Sequence, residues 1–310
     1  MKTPKSWTDV YENTRFYTVS EAKTMLWSLT VVFSFLLVGH SVAQQTEVKI
    51  ATYNIYFLDD GIREEREQNL QRVIRELDAD IIGFQEINNP AALENILPEE
   101  YEIAMVDDPD EVQDLALAVR PPFRIESYRH VFPDPDYNDA FPRSRDLLQV
   151  EVGNHNLEFV VLVHHAKSRR GGRSHTDPRR EAASKHIVAY IKKNLSGEKI
   201  ILLGDFNDNP DDRSLNILEY GKFDARGGID RIADTFLFNT TEELASKDYC
   251  SYGYSYIYEN IEADTLALKV ERTRRVNNKW RGKEYDFWDL EIKANLFDQI
   301  LVSFANQGCE

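Results

Sequence analysis

Apolar and polar positions along this chain fall into a recurring order of strand, helix and strand. From Val48 to Ile55 the run Val-Lys-Ile-Ala-Thr-Tyr-Asn-Ile predicts a strand, with Asn54 where it should open out. Leu70, Val73, Ile74 and Leu77 recur at spacings of three and four, which puts one apolar stripe on a helix over 63–77. Asp-Ile-Ile-Gly-Phe at 80–84 is a second short buried strand and leads into Gln85 and Glu86. A strand, a helix and a strand with a short return predict a parallel pair. Further strands are expected at 101–106 and 115–119, and 147–152 with 157–163 read as a hairpin about the turn Gly153-Asn154-His155-Asn156. Asp177 and Pro178 suit an N-cap and a first helical position, so a helix is expected to start there and bury Ala183, Ile187, Tyr190 and Ile191.

The most informative stretch is Ile200-Ile201-Leu202-Leu203-Gly204-Asp205-Phe206-Asn207-Asp208. Four large apolar residues in a row predict a strand buried on both faces. It ends at a glycine and turns polar, and alternation would point Asp205 and Asn207 to one side. The carboxyl end of such a strand is where α/β proteins commonly place ligands. A bland alternative is an Asp/Asn turn leading to Pro210. Beyond Leu215 the pattern weakens. Residues 249–258 have strand character, 272–283 read as an exposed basic hairpin or loop, and Leu296 to Val302 form a last apolar strand. No internal repeat or linker interrupts 46–302, which predicts one domain.

Composition narrows this picture. The chain has 310 residues with a formal net charge of −16, which argues against broad electrostatic binding to nucleic acid while leaving room for a local basic groove. Cys250 and Cys309 are too few for a disulfide framework, although they could pair in an exported protein. Lys23 precedes the apolar run Met25 to Val38, and Ser41-Val42-Ala43 has the small residues a signal peptidase prefers. That run is shorter than the roughly 20 apolar residues a membrane span needs. The expected organisation is therefore an N-terminal extension and signal peptide over 1–43 and one domain over 44–310, with the protein periplasmic or secreted. An uncleaved membrane anchor is the alternative.

Five segments place a polar residue at or beside the end of an apolar strand: Asn54, Glu86, His165, Asp205 with Asn207, and Asp298. Singly, each could be a solvated loop residue or a structural one. Asp298 is harder to dismiss, since a carboxylate within an apolar strand needs a partner. In wording and order the segments Thr52-Tyr53-Asn54-Ile55, Gln85-Glu86-Ile87, His165-Ala166-Lys167-Ser168, Gly204-Asp205-Phe206-Asn207-Asp208 and Phe297-Asp298-Gln299-Ile300-Leu301-Val302-Ser303 resemble the endonuclease/exonuclease/phosphatase superfamily, which includes DNase I and apurinic endonucleases. The resemblance runs from about Val48 to Ser303.

It implies an α/β fold, a DNase I-like sandwich of two mixed sheets flanked by helices. It also implies a phosphoric ester hydrolase dependent on Mg²⁺ or Mn²⁺, acting on a phosphodiester or phosphomonoester, with nucleic acid among the candidate partners. Glu86 would be the principal metal ligand with Asn54 beside it. Asp205 would orient or deprotonate water, Asn207 would hold a phosphoryl oxygen, and His165 would contact phosphate or protonate the leaving oxygen. Arg145 and Lys167 would bind substrate phosphate, within a basic rim that includes Arg143, Arg169 and Arg170. Asp298 would stand where the family has an Asp that orients a His on a further Ser-Asp-His strand. All seven His residues here lie at or before 186, so the domain is expected to lack that strand. A weakly active or non-catalytic relative that binds a phosphorylated ligand is the alternative reading.

Overall fold

Leu115, Leu117 and Val119 belong to one buried cluster, and Ala116 and Ala118 to another. That alternation, the period-two signature of a strand, is the plan of the whole molecule. The computed structural model describes residues 47–107, 113–142, 145–228, 234–247, 249–257 and 290–304, with the backbone alone for 253–257 and 290–294. In chain order the elements are β1 (Ile50–Leu58), α1 (Glu64–Leu77), β2 (Ile81–Ile87), α2 (Pro90–Ile96), β3 (Glu102–Met105), β4 (Asp114–Val119) and β5 (Arg124–His130). They continue with β6 (Leu148–Gly153), β7 (Glu158–His165), α3 (Arg173–Asn194), β8 (Ile200–Asp205), α4 (Arg213–Tyr220), β9 (Leu237–Asn239), α5 (Glu242–Ser246), β10 (Tyr252–Ile257), β11 (Leu290–Asn295) and β12 (Asp298–Ser303).

Two mixed sheets carry the fold, one of four strands in the order β1-β2-β4-β3 and one of six in the order β5-β6-β7-β8-β12-β9. β1 and β2 are parallel, as the short helical return predicts, and so are β7 and β8. Ile81, Leu115, Leu117 and Val119 of the first sheet pack with Leu148, Val150, Val161, Val163 and Leu203 of the second to fill the space between them. The outer face of the first sheet, Ile82, Phe84, Ala116 and Ala118, lies under Leu70 and Ile74 of α1 and Leu93 and Ile96 of α2. Leu162, Leu202 and Leu301 on the other outer face lie under Ala183, Ile187 and Ile191 of α3 and Leu215 and Leu218 of α4. Each fully buried Leu or Ile contributes about 1.5–3 kcal/mol. The result is the α/β, DNase I-like sandwich of two mixed sheets flanked by helices.

Where the chain departs from its sequence pattern, the reasons are local. α3 begins at Arg173 rather than at Asp177, and Pro178 lies inside it. Gly171 and Gly172, at φ 99° and 95°, turn the chain immediately before the helix. Arg173 is held to Asp177 and to Asp212, at 3.0 and 2.6 Å, so the extra first turn has partners that offset the hydrogen bond Pro178 cannot make. α2, β5 and α4 carry too few periodic positions to have been foreseen. α2 starts on Asn89, whose side chain accepts from the Ala91 and Ala92 amides, with Pro90 as its first residue. Gly204 is required by a close approach. A Cβ there would lie 1.8 Å from the His164 carbonyl oxygen of the neighbouring strand. β12 is not a sheet edge, since β8 flanks it on one side and β9 on the other. The expectations for 1–46, Arg143, 272–283 and Cys309 lie outside the described residues, within which no helix is long and apolar enough to cross a membrane.

Candidate active site

Strand pairing explains why distant residues meet. In the parallel ladder of β7 and β8, His165 stands beside Asp205. In the antiparallel ladder of β8 and β12, Asp205 stands opposite Asp298. On the other sheet, Asn54 of β1 pairs with Gln85 of β2, one residue before Glu86. Glu86 does not follow the alternation. It has φ 68°, and the register with β4 slips between Gln85 and Ile87. A bulge of this kind re-aims a side chain, and here it joins Glu86 to the groups from the other sheet.

Asn54 is the link across the sandwich. Its Nδ2 donates to Glu86 Oε1 at 3.1 Å and to Asp205 Oδ2 at 2.9 Å. Its Oδ1 accepts the Tyr56 amide at 3.0 Å, so the carboxamide presents nitrogen, not oxygen, to the two carboxylates. The Asp205 Oδ1 accepts the Asn207 amide at 2.8 Å, and Asn207 Nδ2 donates to the Ala166 carbonyl at 3.1 Å. Asn207 therefore reaches the site through a turn at φ 51° rather than through strand alternation. Non-glycine residues in the left-handed region cost about 1–3 kcal/mol and persist where their surroundings hold them. Glu86 and Asn207 are two such residues, and Tyr56 and Phe57 are two more.

His165 Nε2 lies 3.8 Å from both Glu86 Oε1 and Asp205 Oδ2, and 3.2 Å from Arg145 Nη1. Arginine only donates, so that nitrogen accepts and the ring is neutral. Burial, reinforced by the Arg145 charge, holds the imidazole pKa well below its ordinary value. Arg145 also donates to the Ala166 carbonyl at 3.4 Å, and Lys167 Nζ to Ser168 Oγ at 3.4 Å. Burial, and then the guanidinium groups of Arg145, Arg179, Arg180 and Arg170, lower the Lys167 pKa.

The expected basic rim is partly something else. Arg169 is not a substrate-facing cation. It donates to the Asn207 carbonyl at 2.8 Å and to Asp208 Oδ1 at 2.9 Å, pairs with Asp212, and stacks on Phe297. Behind it lies Arg180, a residue that sequence periodicity gave no reason to single out. Arg180 is 1% exposed and donates to the Lys167 carbonyl at 2.8 Å. It pairs with Asp177, and its Nε lies 2.7 Å from Asp208 Oδ2. This buried network ties the loop after β7 to the loop after β8.

Three carboxylates, those of Glu86, Asp205 and Asp298, thus converge from the two sheets. Burial first, then the Asp298 charge, pushes Asp205 up to about 7. Burial likewise raises Asp298. Glu86 Oε2 and Asp298 Oδ1 are buried without a hydrogen-bond partner among the described residues. Hard oxygen atoms left bare beside like charges fit a divalent cation such as Mg²⁺, which takes one or two protein carboxylates and completes its shell with water and phosphate. Among the described residues, no group of three or more His, Cys, Asp or Glu is placed so that it could hold a metal ion by itself.

The raised Asp205 pKa has a consequence for stability. A carboxyl whose pKa moves from 3.8 to about 7 on folding binds its proton more tightly in the folded state. Stability of the metal-free protein should therefore fall as pH rises across that window. Urea unfolding in the presence of a chelator, at intervals from pH 4 to 8, should show this fall and a flatter profile for Asp205→Asn. Equal slopes for both proteins would remove Asp205 as the cause.

Comparison with known proteins agrees with the fold. The fold resembles that of TDP2 from D. rerio complexed with single-strand DNA product, with 15% identity, a TM-score of 0.54 and coverage of 85% of this chain and 86% of that one. It resembles truncated TDP2 from Caenorhabditis elegans at 17% identity and a TM-score of 0.52, covering 83% of this chain and 84% of the other. It also resembles a mannosyl-6-phosphatase from Bacteroides thetaiotaomicron at 16% identity and 0.51, covering 83% and 85%. No sequence among curated proteins matches significantly. The sequence model of the endonuclease/exonuclease/phosphatase family matches residues 61–276, the greater part of the chain, and this protein belongs to that family.

Proposed function

We propose that the protein is an exported, Mg²⁺- or Mn²⁺-dependent hydrolase of phosphate esters. Family membership supports phosphoesterase chemistry in general. The observation that carries the reading is the convergence of Glu86, Asp205 and Asp298 beside Arg145, with bare buried oxygens on Glu86 and Asp298. Export rests on the Met25–Val38 run and Ser41-Val42-Ala43.

Glu86 would hold the metal through its unpartnered Oε2. Asn54 bridges the Glu86 and Asp205 carboxylates, and Asp298 supplies a further oxygen. When bound, the ion would act as a Lewis acid on the phosphoryl oxygen. Asp205 is the proton acceptor for an attacking water, and a pKa near 7 suits that task at neutral pH. Asn207 retains one N–H for a phosphoryl oxygen as charge builds there. Arg145 and Lys167 hold the phosphate. Neutral His165 accepts from Arg145 and keeps that guanidinium aimed at the site.

A panel of phosphoesters tests this: bis-p-nitrophenyl phosphate, p-nitrophenyl phosphate, single-stranded DNA and a sugar phosphate. Hydrolysis of at least one is expected with Mg²⁺, lost with a chelator and regained when the metal returns. Phosphate binding without turnover on any substrate would favour the non-catalytic reading.

A further inference from the structure

β1 does more than deliver Asn54. Tyr56 and Phe57 follow it in the left-handed region, at φ 57° and 52°, and the register with β2 slips between Asn54 and Leu58. Arg66 of α1 holds this bulge. Its Nη2 donates to the Ile55 and Tyr56 carbonyls at 2.7 and 2.6 Å, and its Nη1 to that of Phe57 at 3.4 Å. One guanidinium is thus committed to three successive carbonyls of a strained turn. The turn fixes the Asn54 carboxamide through the Tyr56 amide. It also pushes the Tyr56 ring into solvent.

Tyr56 is 73% exposed, the highest value among the large apolar side chains described. Phe57 meets it edge to face, with centroids 5.4 Å apart. Alongside runs a groove of about 450 Å³ whose lining includes Tyr53, Asn54, Ile55, Tyr56, Arg66 and Leu70. The groove starts at Asn54, whose other side touches the Glu86 and Asp205 carboxylates. Asn54 thus connects the groove to the carboxylates beside which the phosphate would sit. A strained turn beside Asn54, an exposed aromatic face and mainly apolar walls with a few polar groups (Asn54, Arg63, Asn69) suit a flat ring with hydrogen-bonding edges.

We propose that Tyr56 grips the non-phosphate part of the substrate by stacking on a planar ring, so that ring-bearing phosphoesters such as nucleotides are preferred over ring-free ones. This rests on the phosphoesterase reading for the position of the phosphate. Arg66 is a positioning residue, since it acts through the turn it holds.

Calorimetric titration with Mg²⁺ present tests the proposal, using thymidine 5′-monophosphate and ribose 5-phosphate as probes. Tyr56→Ala should weaken thymidine monophosphate binding by about tenfold or more, the usual scale for losing one base–aromatic stack. Ribose 5-phosphate binding should not change, and Tyr56→Trp should retain the nucleotide affinity. Tyr56 is exposed and its backbone amide survives substitution, so the variants should fold. Equal losses for both probes, no loss for either, or a wild type that binds neither would overturn the proposal. Turnover of the phosphoester panel is scored separately. Ring-dependent binding without hydrolysis would sink only the phosphoesterase reading, and hydrolysis with ring-independent binding would sink only this one.

Discussion

Glu86→Gln should cut metal-supported turnover by about 10²–10⁴-fold, because a Lewis acid at phosphorus contributes several kcal/mol of charge stabilisation. Gln is nearly isosteric and keeps an oxygen to accept from Asn54, which donates to Glu86 at 3.1 Å. The bulge that aims the side chain belongs to the backbone and should survive. Calorimetry should show weaker Mg²⁺ binding, while far-ultraviolet circular dichroism stays unchanged. Asp205→Asn is the informative contrast. It should also lose turnover, by about 10²–10⁴ for a lost proton acceptor, yet retain more of the metal affinity. Full turnover by Glu86→Gln at ordinary Mg²⁺ concentrations would remove Glu86 from the metal site.

The second large effect concerns stability. Arg180→Met should destabilise the fold by roughly 3–5 kcal/mol, the range for removing one partner of a buried ion pair. Arg180 is almost fully enclosed and lies against Asp208, which is itself buried. Burial raises the Asp208 carboxyl pKa, and Arg180 and Arg169 work against that. Arg169 and Ser214 remain on Asp208 in the variant, at 2.9 and 2.6 Å, which favours the lower end of the range. Urea denaturation measures the loss. The double variant Arg180→Met/Asp208→Asn should recover part of it if the stranded carboxylate is the cause. A change below about 1 kcal/mol would place the pair among ion pairs of little net worth.

Much of the fold could be read from the order of residues, and the reasons differ by element. β4 and β8 were legible because buried strands write themselves as uninterrupted apolar runs. α1 was legible because a helix on a sheet shows its stripe at three and four. The polar residues at strand ends were found as a set, since Asn54, Glu86, His165, Asp205, Asn207 and Asp298 each follow or interrupt such a run. Their geometry was not legible. Glu86 points where it does because of a backbone slip that no side-chain pattern announces. His165 is expected to contact phosphate or to give a proton, and no side-chain pattern foretells the Arg145 guanidinium 3.2 Å from its Nε2. Arg169 looked like part of a basic rim, yet it is spent on Asp208, Asp212 and Phe297. Arg180 sits next to Arg179 on the same helix. Sequence alone offers no way to tell the buried arginine from its neighbour, which holds the Asn138 and Asp139 carbonyls. The start of α3 was misplaced because Asp-Pro is a good start in isolation, and the ion pairs of Arg173 that extend the helix are tertiary.

The six-residue set is divided between two sheets, with Asn54 and Glu86 on one and the remainder on the other. Nothing covalent aligns the halves at this point. Gly83, three residues before Glu86, faces Leu203, two residues before Asp205, so closely that a Cβ would lie 2.1 Å from the Leu203 Cδ1. That contact acts as a spacer stop. It lies in the gap between the two layers just behind the carboxylates, and any side chain larger than hydrogen at 83 would have to displace the Leu203 side chain or widen that gap. The enzyme-like geometry is thus a property of an interface inside a single chain. It can be lost while every strand stays paired, in the way a lock fails when its two plates are shimmed apart.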